Sequence, residues 1–333
     1  MTVFLGKIFC EAKKIYRIGK AVVDQVSRYQ TRRQLLKTAI GGAAGIVLGG
    51  PLLRAAQSQP AVGELEELSN DLTVIRWPGE ANIVMQTSAD GVLLVDGGSA
   101  DGADRLMNFI SKVPGGGHVH TLFNTHWHPE QTGLNERLGK AGTTIIAHEN
   151  TRLWLTQNIT WPWDGRQFKK LPKVAQPNKT FYDTGKLASG VRYGYLPDAA
   201  HTDGDLYVHF PNQNVLVVGD AVYGQGWPVV DYWTGGWIGG IAGGLQRIQT
   251  LADANTRIVP ARGPIIGLVE LKAQAEMYGA LYDRLSQLLN RGRGPSEAVA
   301  AGVAKEFETK MGNSDEFVRR AFESLWAYLS PDA

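Results

Sequence analysis

The chain has 333 residues, which at ~100–200 residues per domain suits one large domain or two small ones. With 43% hydrophobic and 20% charged residues it can bury a core and is not a disordered chain; its one cysteine, Cys10, excludes an internal disulfide framework and any cysteine-built zinc cluster. The net charge of +2 is uneven: residues 1–58 hold ten Lys/Arg against two Asp/Glu, so the remainder is acidic and offers no basic footprint for nucleic acid.

The leader comes first. Leu5, Ile8, Ala12, Ile15, Val22 and Val26 recur at helical spacing with lysines and arginines between them, a basic amphipathic pattern over residues 1–30 suited to peripheral membrane contact. Thr31-Arg32-Arg33-Gln34-Leu35-Leu36-Lys37 resembles the twin-arginine export signal. A moderately apolar stretch from Thr38 to Leu53 follows, then Ala56-Gln57-Ser58 with small residues placed for cleavage after Ser58. The expectation is export to the periplasm by the twin-arginine machinery, or inner-membrane anchoring if the leader is kept. No stretch reaches the ~18 unbroken apolar residues of a membrane span.

In the body, residues 72–77, 82–87 and 92–95 read as strands, with Asp90-Gly91 as a hairpin turn. Residues 101–113 read as a helix, 121–124 as a strand, 130–138 as a helix, 143–147 as a strand and 149–156 as a helix. Strands are expected over 180–182, 191–196, 206–210 and 215–218, a helix over 240–252 and a last strand over 257–259. Residues 268–330 read as helical, with a break at Gly294-Pro295 and a capping box of Asn313 with Glu316 before the final helix. The expected organisation is a leader (1–58), a main domain (59–267) and C-terminal helices (268–333) packed on it. Two β-rich halves, each followed by helices, suggest two packed sheets with helices outside, an α+β sandwich.

The strongest chemical signal is His126-Trp127-His128-Pro129-Glu130-Gln131-Thr132-Gly133. Two histidines one residue apart in a loop at a strand end can face one ion, and neutral imidazole is a good zinc or iron ligand. His201 precedes another strand, and Asp220 ends the run Val215-Leu-Val-Val-Gly219-Asp220. Three histidines with one open position make the protein part of a catalytic zinc site.

These residues resemble the metallo-β-lactamase superfamily over roughly residues 70–268. Leu93-Leu94-Val95-Asp96-Gly97-Gly98 matches that family's early strand–acid motif, His126 to Gln131 its H-x-H-x-D-H motif, His201 its third metal histidine and Asp220 its bridging acid. Pro260-Ala261-Arg262-Gly263-Pro264 matches its P-G-H-G-P motif. The resemblance implies a four-layer αββα sandwich with the metal at one edge of the sheets. It implies metal ligands at His126, His128, His201 and Asp220, with Asp96 and Gln131 supporting them from behind. The second metal position of the family departs: Glu130, Gln131 and Arg262 stand where Asp, His and His are usual. Gln is a poor ligand and a guanidinium cannot be deprotonated to bind metal, so one metal per chain is expected, zinc or alternatively iron. Arg262 is expected to fill the vacant position, clamped by Glu130 and Asp220.

The function that follows is an exported mono-metal hydrolase. Glu130 would act as general base and Arg262 as oxyanion or carboxylate partner, on an ester, lactone or amide. Two aromatic segments, with Trp161 and Trp163 in one and Trp227 and Trp233 in the other, are candidate walls of a pocket for a small molecule with an apolar part. The same packing of tryptophans on the sheets would be structural. Two alternatives stand: a mononuclear iron oxygenase resembling the persulfide dioxygenases, with His126, His201 and Asp220 as ligands, and a non-catalytic binding protein of the same fold. His148, after the 143–147 strand, is a further candidate to support the site.

Overall fold

Alternation along Gly91–Val95 decides which layers the first sheet separates. Leu93 and Val95 point into one apolar cluster and Val92 and Leu94 into another, so this strand is buried on both faces. The structure, a computed structural model, describes residues 64–197 and 199–329. The expected Arg32-Arg33 export signal, the cleavage point after Ser58 and the amphipathic stretch 1–30 lie outside the described residues. Among the described residues no helix is long and apolar enough to cross a membrane.

The strands in chain order are β1 (Glu64–Glu67), β2 (Leu72–Arg76), β3 (Ile83–Ser88), β4 (Gly91–Val95), β5 (Val119–Phe123), β6 (Thr144–His148), β7 (Ile159–Thr160), β8 (Gln167–Phe168), β9 (Lys179–Phe181), β10 (Thr184–Lys186), β11 (Arg192–Tyr195), β12 (Leu206–Phe210), β13 (Val215–Tyr223) and β14 (Arg257–Arg262). The helices are α1 (Ala103–Ile110), α2 (Pro129–Thr132), α3 (Asn135–Lys140), α4 (Glu149–Leu155), α5 (Ile238–Gln249), α6 (Leu268–Asn290), α7 (Pro295–Ala300), α8 (Glu308–Met311) and α9 (Asp315–Leu329).

One sheet has the order β1-β2-β3-β4-β5-β6-β9, antiparallel up to β4 and parallel beyond it. The other has the order β10-β11-β12-β13-β14, with only the β13–β14 pair parallel. Leu93, Val95, Phe123 and Ile146 of the first meet Leu206, Val208, Phe210 and Val217 of the second in the central core. Ile110, Leu134 and Leu138 cover the first sheet's outer face, and Leu245, Leu281 and Phe322 lie in the cluster outside the second. The result is the expected four-layer αββα sandwich, with the C-terminal helices packed on it.

The differences from expectation are local. The helix expected over 130–138 is two helices, because Gly133 N–H turns aside to Gly98 O at 2.8 Å. Backbone approach is so close there that a Cβ on Gly133 would lie 2.2 Å from the Ser99 carbonyl carbon. The expected Asn313–Glu316 capping box does not form: Asn313 Oδ1 accepts from Asp315 N at 3.2 Å, and Glu316 instead pairs with Arg320. β13 runs on to Tyr223, past the expected end at Val218, because every residue of it is buried.

Candidate metal centre

The C-terminal ends of β4, β5, β13 and β14 converge on one edge of the sandwich. β4 ends into Asp96, held at φ 65°. Its carboxylate compensates that unfavourable backbone with two bonds, accepting from Thr125 N at 2.8 Å and from Thr125 Oγ1 at 2.8 Å. β13 bulges at Gly219, whose φ of +55° and crowding against Thr125 suit only glycine, and the register shift there aims Asp220 at the site.

His126, His128 and His201 are buried, and their ring centroids are 4.6, 4.6 and 4.8 Å apart. A carboxylate stands behind each ring. Thr125 gives its hydroxyl proton to Asp96, so its oxygen accepts from His126 Nδ1 at 3.2 Å and leaves Nε2 bare. His128 Nε2 donates to Asp231 Oδ2 at 2.9 Å, leaving Nδ1 as its lone pair. His201 Nδ1 lies 3.5 Å from Asp205 Oδ1, an electrostatic contact, while Asp205 also takes the main-chain N–H of Thr202 at 2.9 Å. Thr234 in turn fixes Asp231 through its hydroxyl at 2.7 Å, and Trp127 Nε1 donates to that hydroxyl at 3.0 Å.

Asp220 Oδ2 completes the set, 3.8 Å from Nε2 of both His126 and His201. Among the described residues, these four form the group whose ligand atoms all lie within 4.8 Å of one another. His126 Nε2 and His201 Nε2 are buried with no hydrogen-bond partner. Bare imidazole nitrogens facing a carboxylate oxygen fit a divalent metal, the partner that would satisfy them together.

Charge follows the geometry. Burial, then the neighbouring His128, His201 and Arg262, hold His126 well below the ordinary imidazole value. Burial acts the same way on His201, but Asp205, Asp220 and Asp231 outweigh it and raise that ring. Burial would raise Asp231, yet His128 and Thr234 bring it below the usual carboxylate range. Burial and the adjacent Asp220 keep Tyr223 protonated, well above the ordinary phenol value.

The other expected site residues divide. Asp96 and Gln131 adjoin the ligands: Gln131 is buried, with Nε2 3.5 Å from Asp220 Oδ1. The expected Arg262 clamp is not formed as drawn. Arg262 reaches Glu130 only at 4.0 Å, with the two side chains 33% and 38% exposed. Towards Asp220, Tyr223 intervenes, donating its hydroxyl to Asp220 Oδ2 at 3.2 Å. Trp161 packs edge-on to His128 at 5.2 Å within a small apolar cluster with Trp127, and is too buried to offer a substrate much surface. Trp163 packs beside it with its ring tilted, centroids 4.8 Å apart, and Trp233 is exposed. Trp227 is not a pocket wall: it stacks on Phe317 at 4.5 Å and donates to Gly312 O, pinning the C-terminal helices. His148 is also elsewhere, stacked on Tyr195 at 4.2 Å and capping α4.

Sequence reasoning missed Thr125, Asp205, Asp231 and Tyr223. Asp205 carried a local signal in Thr202-Asp203-Gly204-Asp205, whereas Asp231 lies 103 residues from His128 and had none.

A family model described as Metallo-beta-lactamase superfamily matches residues 76–266. The chain is similar to two curated proteins named hydroxyacylglutathione hydrolase. One, from Erythrobacter litoralis (strain HTCC2594), is 26% identical over 127 residues, 38% of this chain and 42% of that protein. The other, from Hyphomonas neptunium (strain ATCC 15444), is 29% identical over 109 residues, 32% of this chain and 36% of that protein. The chain thus spans well under half the length of these relatives. Among solved structures, a metallo-beta-lactamase from Pontibacter korlensis superposes with a TM-score of 0.51 at 18% identity, covering 66% of this chain and 99% of that one. The DIM-1 metallo-beta-lactamase exposed to ceftazidime gives 0.51 at 17% identity, covering 66% and 98%. At these identities the likeness is one of fold.

Proposed function

The chain belongs to the metallo-beta-lactamase superfamily, and on that premise we propose that it is a single-metal hydrolase of esters, thioesters, lactones or amides. The observation that carries the reading is the pair of buried, partnerless Nε2 atoms of His126 and His201 facing Asp220 Oδ2. His126, His128, His201 and Asp220 would hold the ion, zinc by the chemistry of the donor set. A bound zinc supplies a Lewis acid and lowers the pKa of water toward ~7.

The chain's own residues do the rest. Asp96 through Thr125 holds His126, and Asp231 holds His128, in one tautomer and orientation, while Asp205 lies 3.5 Å behind His201 Nδ1. Glu130 accepts a proton from the attacking water at its carboxylate. Arg262, 4.0 Å from Glu130, presents its guanidinium to the charge developing on the carbonyl oxygen, or to a substrate carboxylate. Thioesters enter the substrate range because the partial relatives are named for hydroxyacylglutathione. Export by the twin-arginine route belongs to the same proposal, since that route carries folded and therefore metal-loaded protein.

The test is a panel of chromogenic probes: 4-nitrophenyl acetate, an acyl thioester read by thiol release, and a chromogenic cephalosporin. Turnover of at least one by the zinc-loaded protein, abolished in His126→Ala, supports the proposal. No turnover of any of the three by protein carrying its metal argues for a binding protein instead.

A further inference from the structure

Tyr223 ends β13, three residues after Asp220, and its side chain is buried. Its hydroxyl donates to Asp220 Oδ2 at 3.2 Å. That same oxygen lies 3.8 Å from the bare Nε2 of His126 and of His201, so it is the one facing the cluster. The other, Oδ1, lies 3.5 Å from Gln131 Nε2. An aspartate carboxylate is free to rotate and offer either oxygen, or both, to a cation. A donor on each oxygen removes that freedom.

Tyr223 is itself held. Its carbonyl accepts from Gln274 Nε2 of α6 at 2.9 Å. The parallel β13–β14 register sets Arg262 opposite it. The Asp220 carboxylate can only accept, so the phenol is the donor of the bond between them.

We propose that Tyr223 is a positioning residue of the metal centre, whose hydroxyl fixes Asp220 with Oδ2 toward the ion. The proposal rests on the reading of this cluster as a metal site. It also assigns the C-terminal helices a link to that site, through Gln274 to the backbone of Tyr223.

The experiment titrates cobalt(II) into metal-stripped protein and follows the visible ligand-field bands, which report coordination directly. Tyr223→Phe keeps the ring and removes one oxygen. It is expected to weaken cobalt binding by about tenfold or more and to shift the bands, as Asp220 changes its mode of coordination. Tyr278→Phe is the control: it removes another buried hydroxyl, one without a partner, and should leave affinity and bands as in the wild type. Far-UV circular dichroism of the stripped variants confirms that each is folded. Cobalt bands in the wild type with the same affinity and spectrum in Tyr223→Phe would overturn the proposal alone. No cobalt binding by the wild type would overturn the metal reading and the proposal with it.

Discussion

His128 and Asp231 lie 103 residues apart in sequence, and their side chains meet at 2.9 Å in the interior. The bond fixes the proton on His128 Nε2 and turns Nδ1 into the lone pair available to an ion. Asp231 can do this because Thr234 holds it in place from both hydroxyl and main chain.

Loss of that support should show in metal affinity before it shows in fold. Asp231→Asn replaces the carboxylate behind His128 by a neutral amide, and Thr125→Val removes the hydroxyl acceptor behind His126. Each should weaken zinc binding by about 10–100-fold. Competition titration with a chromogenic chelator measures this, and wild-type affinity in both variants would show that the carboxylates do not tune the site.

Arg262→Ala separates chemistry from stability. With both side chains about a third exposed, the Arg262–Glu130 pair is expected to contribute only ~0–1 kcal/mol, far less than a buried clamp. The variant should melt close to the wild type, bind zinc, and lose most of its hydrolytic rate. Unchanged kcat/KM would remove Arg262 from the reaction.

The helix cap at His148 predicts a pH dependence away from the metal. Its Nδ1 accepts from Asn150 N at 3.2 Å and its Nε2 donates to Tyr182 O at 3.2 Å, an arrangement only the neutral ring can make. Burial holds its pKa below the ordinary value, against weaker opposing contributions from Tyr182 O and nearby carboxylates. Between that lowered value and about 6.5 the unfolded chain binds more protons, so stability falls as pH drops through the window. His148→Asn keeps a capping side chain and does not titrate. Its Tm should fall less than the wild type's between about pH 7.5 and about pH 5.5. Equal falls would show that His148 is not the group responsible.

Much of the fold was legible because strand alternation and the order of motifs are local. Residues 92–95, 206–210 and 215–218 read as strands and are strands. The histidines were legible because His126 and His128 lie one apart at a strand end. What the sequence could not show depends on distant partners: Asp231 behind His128, the turn at Gly133 that stops α2, and Tyr223 between Asp220 and Arg262. Composition misled at Trp161 and Trp227. Tryptophan marks a pocket or a packing seam equally well, and here Trp161 packs behind His128 and Trp227 under α9.

The export proposal has its own test. Arg32→Lys with Arg33→Lys should leave the precursor in the cytoplasm, because the pair is what the export receptor reads. Fractionation of cells expressing the doubly substituted chain measures it, and normal appearance in the periplasm would contradict the proposal.

The central claim, one metal held by His126, His128, His201 and Asp220 and needed for hydrolysis, is tested most directly by titrating zinc into stripped protein while recording turnover of the best probe. The account predicts that the rate rises to a plateau at one zinc per chain and stays flat in His201→Ala. A rate that needs a second equivalent, or that is the same with no zinc, would contradict it.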